Sequence, residues 1–426
     1  MTSVTICEFG LLTTEPGHAG LDRHTISASA FEALCRLSQR WSAQGLPLVR
    51  LEGGSTLRVD NYVGVVDTPC GLQLEILPKH VGCAADAMSA RRMLIKMLSV
   101  LLDIKARQGG VADIALLQRP LTEWVARQFL EQLEAVVKRG VKFDYREVQE
   151  ELTFVRGRID LPAQWRQPPE RSHRIPVIHD VFQADGPENR LLRSALRRIL
   201  ASTRDAGNWQ LARELGLRTV EISESTDTAR DFRAWRSGRL MAHYAAIRPW
   251  CALVLGEKMP LAQSGPQRGM SMLFPMEVLF ERYVTHHLRT GLAAGLDMVC
   301  QSTRHALCQH QGEAMFELRP DVVVRGPQGR WVVDMKWKLL DSGRRGGNYG
   351  ISQSDMYQLF AYGQHYLGGK GELYLIYPRT AAFNAPLPRF SFSETLHLTA
   401  IPFDCERGRF VGEPPAFFCE QPGAAH

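Results

Sequence analysis

The chain has no pair of cysteines in CxxC spacing. Its nine cysteines, at 7, 35, 70, 83, 251, 300, 308, 405 and 419, are scattered and odd in number. That pattern argues against a disulfide framework and fits reduced thiols. One Cys/His cluster exists, Cys300, His305, Cys308 and His310, but its spacing matches no closed zinc site. The start of the chain lacks a basic segment followed by an apolar one, and no apolar run is long enough to span a bilayer. A cytoplasmic protein without a membrane partner is therefore expected. P-loop, HExxH and GxSxG motifs are missing, which removes three large classes of hydrolase signature. Internal repeats and low-complexity blocks are missing too. Lysine is absent from residues 190–250, where twelve arginines stand against six acidic residues. The local surplus, 12 − 6 = 6, equals the net charge of the whole chain, +6. Arginine suits bidentate phosphate contact, so this stretch is a candidate for nucleic-acid binding that reads no sequence.

What is present is an ordinary globular composition, 45% hydrophobic and 23% charged, in a chain of 426 residues that can hold two or three cores. The expected fold class is α/β in three parts. Residues 1–150 read as a mixed α/β module with strands near 4–9, 48–51, 57–66 and 72–77 and a helix over 28–41. The stretches 61–66 and 72–79 have hairpin spacing, and helices follow over 86–102 and 120–138. No catalytic constellation occurs there, so this module is expected to bind a partner. Residues 151–265 read as a helical, arginine-rich connecting region that opens on a strand broken by Gly157. Residues 266–426 carry the chemistry.

The chemistry centres on 316–338, FELRPDVVVRGPQGRWVVDMKWK. It reads as two strands joined by a Gly/Pro-containing turn at 325–330. Alternation puts Trp331, Val333, Met335 and Trp337 on one face of the second strand and Val332, Asp334, Lys336 and Lys338 on the other. On the first strand Asp321 is expected to share a face with Glu317 and Arg319. Asp321, Asp334 and Lys336 then converge on rigid strands. Two close carboxylates repel, and a hard divalent cation such as Mg²⁺ (or Mn²⁺ in its place) relieves the repulsion. A neighbouring lysine can orient a water or pair with a phosphate oxygen. A DxK tripeptide alone is common on sheet edges. Here Pro320-Asp321 precedes Asp334-Met335-Lys336 by 334 − 321 = 13 positions, and that order resembles the PD-(D/E)xK nuclease superfamily.

The flanks extend this resemblance. A helix is expected over 352–367, capped by Ser352 or Ser354, with Met356, Leu359, Phe360, Gly363 and Leu367 as its buried stripe. Gln358 and Tyr362 are similar to the QxxxY element of RecB-like nucleases, in which that helix flanks the metal site. A strand follows over 372–377. Upstream, a helix over 275–292 carries Glu277 and Glu281 on one face, and a helix in this place often supplies a further metal-ligating glutamate in the superfamily. For a Glu on a helix the alternative is a plain surface charge.

Taken together, EILPKH at 75–80, VRGRIDL at 155–161, ENRLLRSAL at 188–196, LFERYV at 279–284, the PD…DMK set and DMYQLFAYG at 355–363 resemble the McrC family, the nuclease subunit of McrBC 5-methylcytosine restriction systems. The resemblance implies a Mg²⁺-dependent DNA endonuclease that acts on double-stranded DNA. It also implies that the N-terminal module engages and stimulates a hexameric AAA+ GTPase of the McrB type. In this reading Asp321, Asp334 and Glu281 ligate the metal, Lys336 positions the attacking water, and Gln358 and Tyr362 flank the site. Two other functions stay open: a non-catalytic DNA-binding adaptor that activates an AAA+ partner, and a stand-alone RecB-like repair nuclease.

Overall fold

The computed structural model describes residues 3–42, 48–79, 87–102, 119–236, 238, 241–256, 271–327 and 329–419. The chain is mixed α/β with several sheets. It divides into two compact units, Met1–Leu121 together with Leu273–His426, and Thr122–Met272. The first and last thirds of the chain thus share one unit. Among the described residues no helix is long and apolar enough to cross a membrane.

In the first unit, Ser3–Cys7 lies parallel to Gln73–Leu77, which pairs antiparallel with Tyr62–Asp67. That last pair is the hairpin read from spacing, closed by Thr68, whose N–H and hydroxyl both bond to the Leu72 carbonyl at 2.9 Å. The expected single strand over 57–66 is instead two, Thr56–Val59 and Tyr62–Asp67, in different sheets. Asp60 breaks it. Its carboxylate accepts the Asn61 N–H at 3.0 Å and pairs with Arg50 at 2.8 Å, a local alternative to the ladder.

The large sheet of this unit runs in the order Asp297–Cys300, Val322–Gly326, Gly329–Met335, Gly371–Pro378, Leu396–Asp404, Phe390–Ser391, with Arg409–Phe410 also on Leu396–Asp404. Its first three strands are antiparallel. From Gly329–Met335 onwards two parallel pairings follow. A parallel pair needs a crossover, and helix Gln353–Leu367 supplies it. Ser352 caps this helix in a capping box with Asp355, and Gly368 ends it at φ +66°. Leu359, Tyr362 and Tyr366 pack on Val323, Val332, Leu373 and Leu375. A Cβ on Gly363 would come within 2.7 Å of Leu396, so glycine permits the close approach of helix to sheet.

The stripe of this helix differs from the expected one. Phe360 is 43% exposed and Met356 and Leu367 are half-buried, whereas Tyr362 and Tyr366 are core residues. Tyrosine tolerates this because both hydroxyls reach backbone carbonyls, Tyr362 at Arg319 and Tyr366 at Ser302 and Leu318. On the other sheet face, helix Met276–Thr290 sets Phe280 against Trp337 and Thr285 against Met335.

The expected strand through 316–324 is also broken. Glu313–Leu318 pairs with His305–His310 as a separate two-stranded sheet, while Val322–Gly326 belongs to the large one. Proline at 320 has no N–H for a ladder, and the chain turns there. Glu317 is in register with Ala306 of the hairpin, so it does not share a sheet face with Asp321.

The second unit has a long antiparallel pair, Asp144–Leu152 with Ile175–Gln183, followed by helices from Pro187–Ser202 to Arg248–Leu255. The expected glycine break is Gly157, at φ +72° between Asp144–Leu152 and the short Arg158–Ile159. Its arginines are largely engaged internally. Arg190 pairs with Asp231 at 2.9 Å, Arg197 with Glu224 at 3.4 Å and Arg218 with Glu214 at 2.8 Å. Arg193 and Arg198 donate to the carbonyls of Gly216 and Leu255. Arg190, Arg193 and Arg198 thus tie helices to neighbouring segments, whereas Arg197 and Arg218 make exposed surface pairs.

Candidate active site

Sheet register brings the two aspartates together. Val322 opposes Val333 in the antiparallel pair, so Asp321, one step earlier, stands across from Asp334, one step later. Cross-strand neighbours of this kind have Cβ atoms about 4.5–5.5 Å apart. Asp321 Oδ2 accepts the Met335 N–H at 2.8 Å, which ties its carboxylate to the Asp334 strand. Lys336 Nζ lies 2.7 Å from Asp334 Oδ2, and the Lys336 N–H is fixed to the Ile376 carbonyl at 2.9 Å.

Glu281 reaches this group through a residue that no motif marks. Gln301 follows strand Asp297–Cys300 in a left-handed conformation, φ +49°. Its N–H donates to the Asp321 carbonyl at 2.9 Å, and its side-chain amide donates to both the Glu281 and Asp321 carboxylates. Glu277, one helical turn earlier, is exposed and bears electrostatically on Glu8 and Tyr62.

Gln358 and Tyr362 sit one layer back. Gln358 Nε2 donates to the Tyr362 hydroxyl at 2.7 Å, and that hydroxyl donates to the Arg319 carbonyl at 2.9 Å. They brace the corner that delivers Asp321. Removal of the hydroxyl in Tyr362→Phe leaves that carbonyl short of a partner and is expected to lower unfolding free energy by about 1–2 kcal/mol. Urea unfolding checks this; an unchanged midpoint would mean that the corner is held by other bonds.

The electrostatics follow from burial and crowding. Burial, then the charges of Asp334 and Glu281, pushes the Asp321 carboxyl up to about 8. Burial also raises Asp334, against the pull of Lys336. Burial works to lower Lys336, but Asp334 and Asp321 outweigh it and hold the ammonium above its ordinary range. Asp334 Oδ2 is buried with no well-aligned hydrogen bond. A divalent cation suits this donor set: all oxygen, crowded and short of positive charge. Among the described residues no three His, Cys, Asp or Glu side chains close into a cage. Mg²⁺ is commonly bound by one or two carboxylates and retained waters, so a cage is not required.

Two further side chains were not legible as site residues. Glu8 is buried and accepts the Trp337 Nε1–H at 2.7 Å and the Lys79 N–H at 2.8 Å, which ties the N-terminal strands to the end of the Asp334 strand. Asp355, at the start of the crossover helix, holds Lys338 at 2.8 Å and adds to the charge felt by Asp334 and Lys336.

The Asp321 and Asp334 carboxylates stand where the antiparallel half of the mixed sheet meets its parallel half. Residues 57–378 match the family described as McrBC 5-methylcytosine restriction system component, and the chain belongs to that family. Its fold is similar to a chain of the refined half-complex from a tetradecameric assembly of Thermococcus gammatolerans McrB AAA+ hexamers with bound McrC. That similarity has a TM-score of 0.69 at 20% identity and covers 95% of each chain. A chain of the T. gammatolerans McrBC complex matches with a TM-score of 0.50 at 22% identity, over 68% of this chain and 88% of that one. No curated protein matches the chain.

Proposed function

We propose that the chain is the nuclease subunit of a 5-methylcytosine-dependent restriction system, hydrolysing phosphodiesters of double-stranded DNA with an McrB-like hexameric AAA+ GTPase as its partner. The observation that carries this reading is the meeting of Asp321, Asp334 and Lys336 across two adjacent strands. It corresponds to a PD-(D/E)xK core within 266–426, with partner binding assigned to 1–150 and a connecting role to 151–265. Asp321 and Asp334, with Glu281, would hold Mg²⁺ or Mn²⁺, which when bound supplies charge for the phosphate oxygens and acidity to water. Lys336 holds its proton and orients the attacking water or pairs with a phosphate oxygen. Gln358 and Tyr362 keep the Asp321 corner in place. The T. gammatolerans McrB hexamers with bound McrC support the choice of partner.

The test is cleavage of methylated and unmethylated plasmid in Mg²⁺, with and without the AAA+ protein and GTP. Cutting that requires methylation, partner and GTP is expected. Cutting without the partner would make the chain a stand-alone nuclease, and GTPase stimulation without cutting would make it an adaptor.

The carboxylate pair gives a second expectation. Mg²⁺ at about a hundred times its dissociation constant should stabilise the protein by about 2.7 kcal/mol. Because Asp321 holds its proton up to about pH 8, binding below that pH displaces a proton, so affinity should rise towards pH 8 and level off above it. Thermal shifts across a pH series check this, and a pH-independent shift would place the ion on other groups.

A further inference from the structure

We propose that the loop at 341–350 is a preformed phosphate clamp that grips the DNA backbone beside the cutting site; this rests on the nuclease reading above. The loop joins the end of the Asp334 strand to the crossover helix. Its sequence, Asp341-Ser342-Gly343-Arg344-Arg345-Gly346-Gly347-Asn348-Tyr349-Gly350, is exposed except for a half-buried Tyr349.

Three observations support it. The loop is strained but well tied. Asn348 and Tyr349 are consecutive non-glycine residues at φ +53° and +58°, each costing about 1–2 kcal/mol. Such strain persists only where surrounding bonds enforce it, and it concentrates at functional sites. Here the Asp341 N–H bonds to the Tyr349 carbonyl at 3.1 Å, the Tyr349 N–H to the Arg344 carbonyl at 3.0 Å and the Ile351 N–H to the Asn348 carbonyl at 2.9 Å. The Ser342 N–H and hydroxyl both bond to the Ala382 carbonyl, and the Tyr349 ring meets Phe390 edge-on. A loop held this way loses little entropy when it binds.

Second, its charge is uncommitted. Lys336 and Lys338 are paired with Asp334 and Asp355. Arg344 and Arg345 meet no carboxylate among the described residues, and guanidinium groups recognise phosphate oxygens in a bidentate way. Third, the position suits the task. Asp341 lies five positions after Lys336, a reach of at most about 18 Å. Over that distance one DNA strand carries about five phosphates, at one per 3.4 Å of axis. The other end of the loop returns at Ser352, whose hydroxyl lies 3.3 Å from Lys338 Nζ.

The test uses the full chain with Asp334→Ala to prevent cutting, with and without Arg344→Ala and Arg345→Ala together, titrated on a short fluorescent duplex over a salt series. A matched pair with Asp334 intact is assayed for cutting with the AAA+ partner and GTP. The double variant is expected to lower affinity at least tenfold and to reduce the salt slope by about 2, one unit per lost phosphate contact. KM for DNA should rise while kcat and GTPase stimulation are retained; Arg344→Lys with Arg345→Lys should recover part of the affinity. Unchanged affinity and slope would overturn the clamp, as would loss of GTPase stimulation with DNA binding intact, which would make the loop a protein-docking surface. Wild-type cutting alongside an indifferent double variant removes the clamp alone. A wild type that neither binds nor cuts DNA removes the nuclease reading with it.

Discussion

Asp334→Ala is expected to abolish DNA cleavage, by on the order of a thousandfold or more, while stimulation of the partner GTPase survives. Asp334 is fully buried, pairs with Lys336 at 2.7 Å and stands across from Asp321. Its loss removes one of the three carboxylates proposed to hold a cation and leaves the Lys336 ammonium without its partner. Folding should tolerate the change. The strand is held by Val332 and Val333 in the core and by the Lys336 N–H on Ile376, and removing one of two crowded carboxylates relieves repulsion. Plasmid cleavage and GTP hydrolysis measured on the same preparation decide the matter. Cleavage at the wild-type rate would move the chemistry to another group; loss of both activities would point to a folding defect.

The second large effect is on stability. Burial pushes the Glu8 carboxyl from an ordinary 4.5 to about 8, with Glu277 adding to it and Lys79, Trp337 and the Lys79 N–H opposing it. The folded state therefore holds a proton that the unfolded chain gives up above pH 4.5. The favourable contribution is complete below pH 4.5 and is lost as pH rises through 8. At about 1.36 kcal/mol per pH unit, the effect is worth several kcal/mol at most. Glu8→Gln keeps an oxygen for Trp337 and Lys79 but cannot ionise. It should be more stable than wild type above pH 8 by a few kcal/mol, with the gap closing towards pH 5. Urea midpoints at several pH values for both proteins test this; parallel profiles would mean that Glu8 ionises without cost in the fold.

Much of the site was legible because its spacing is local. Pro320-Asp321 lead directly into one strand and Asp334-Met335-Lys336 close its neighbour across a short turn, so alternation and turn length fix their meeting. The helix with Gln358 and Tyr362 was legible from its cap and period. Its buried face was read one step off, because periodicity does not reveal that two tyrosines would find carbonyl partners across the sheet. The change of sheet within 316–324 was not legible because Glu313–Leu318 and Val322–Gly326 are both strand-like, and only the proline between them marks it. Gln301 and Glu8 were invisible for a different reason. Each acts across a long separation, Gln301 towards Glu281 and Asp321, Glu8 towards Trp337. A lone Gln or Glu has no period or motif to mark it.

The bond between Glu8 and Trp337 also bears on how the chain is made. The two residues are 329 positions apart, and the strand at Met272–Pro275 that extends the N-terminal sheet begins only where the second unit ends. At about 5–20 residues per second on the ribosome, Glu8 waits roughly 16–66 s for its tryptophan. During that interval Thr122–Met272 emerges complete and is free to fold, while the first 121 residues have only their own strands to pair with. The N-terminal segment is thus completed last although it is synthesised first.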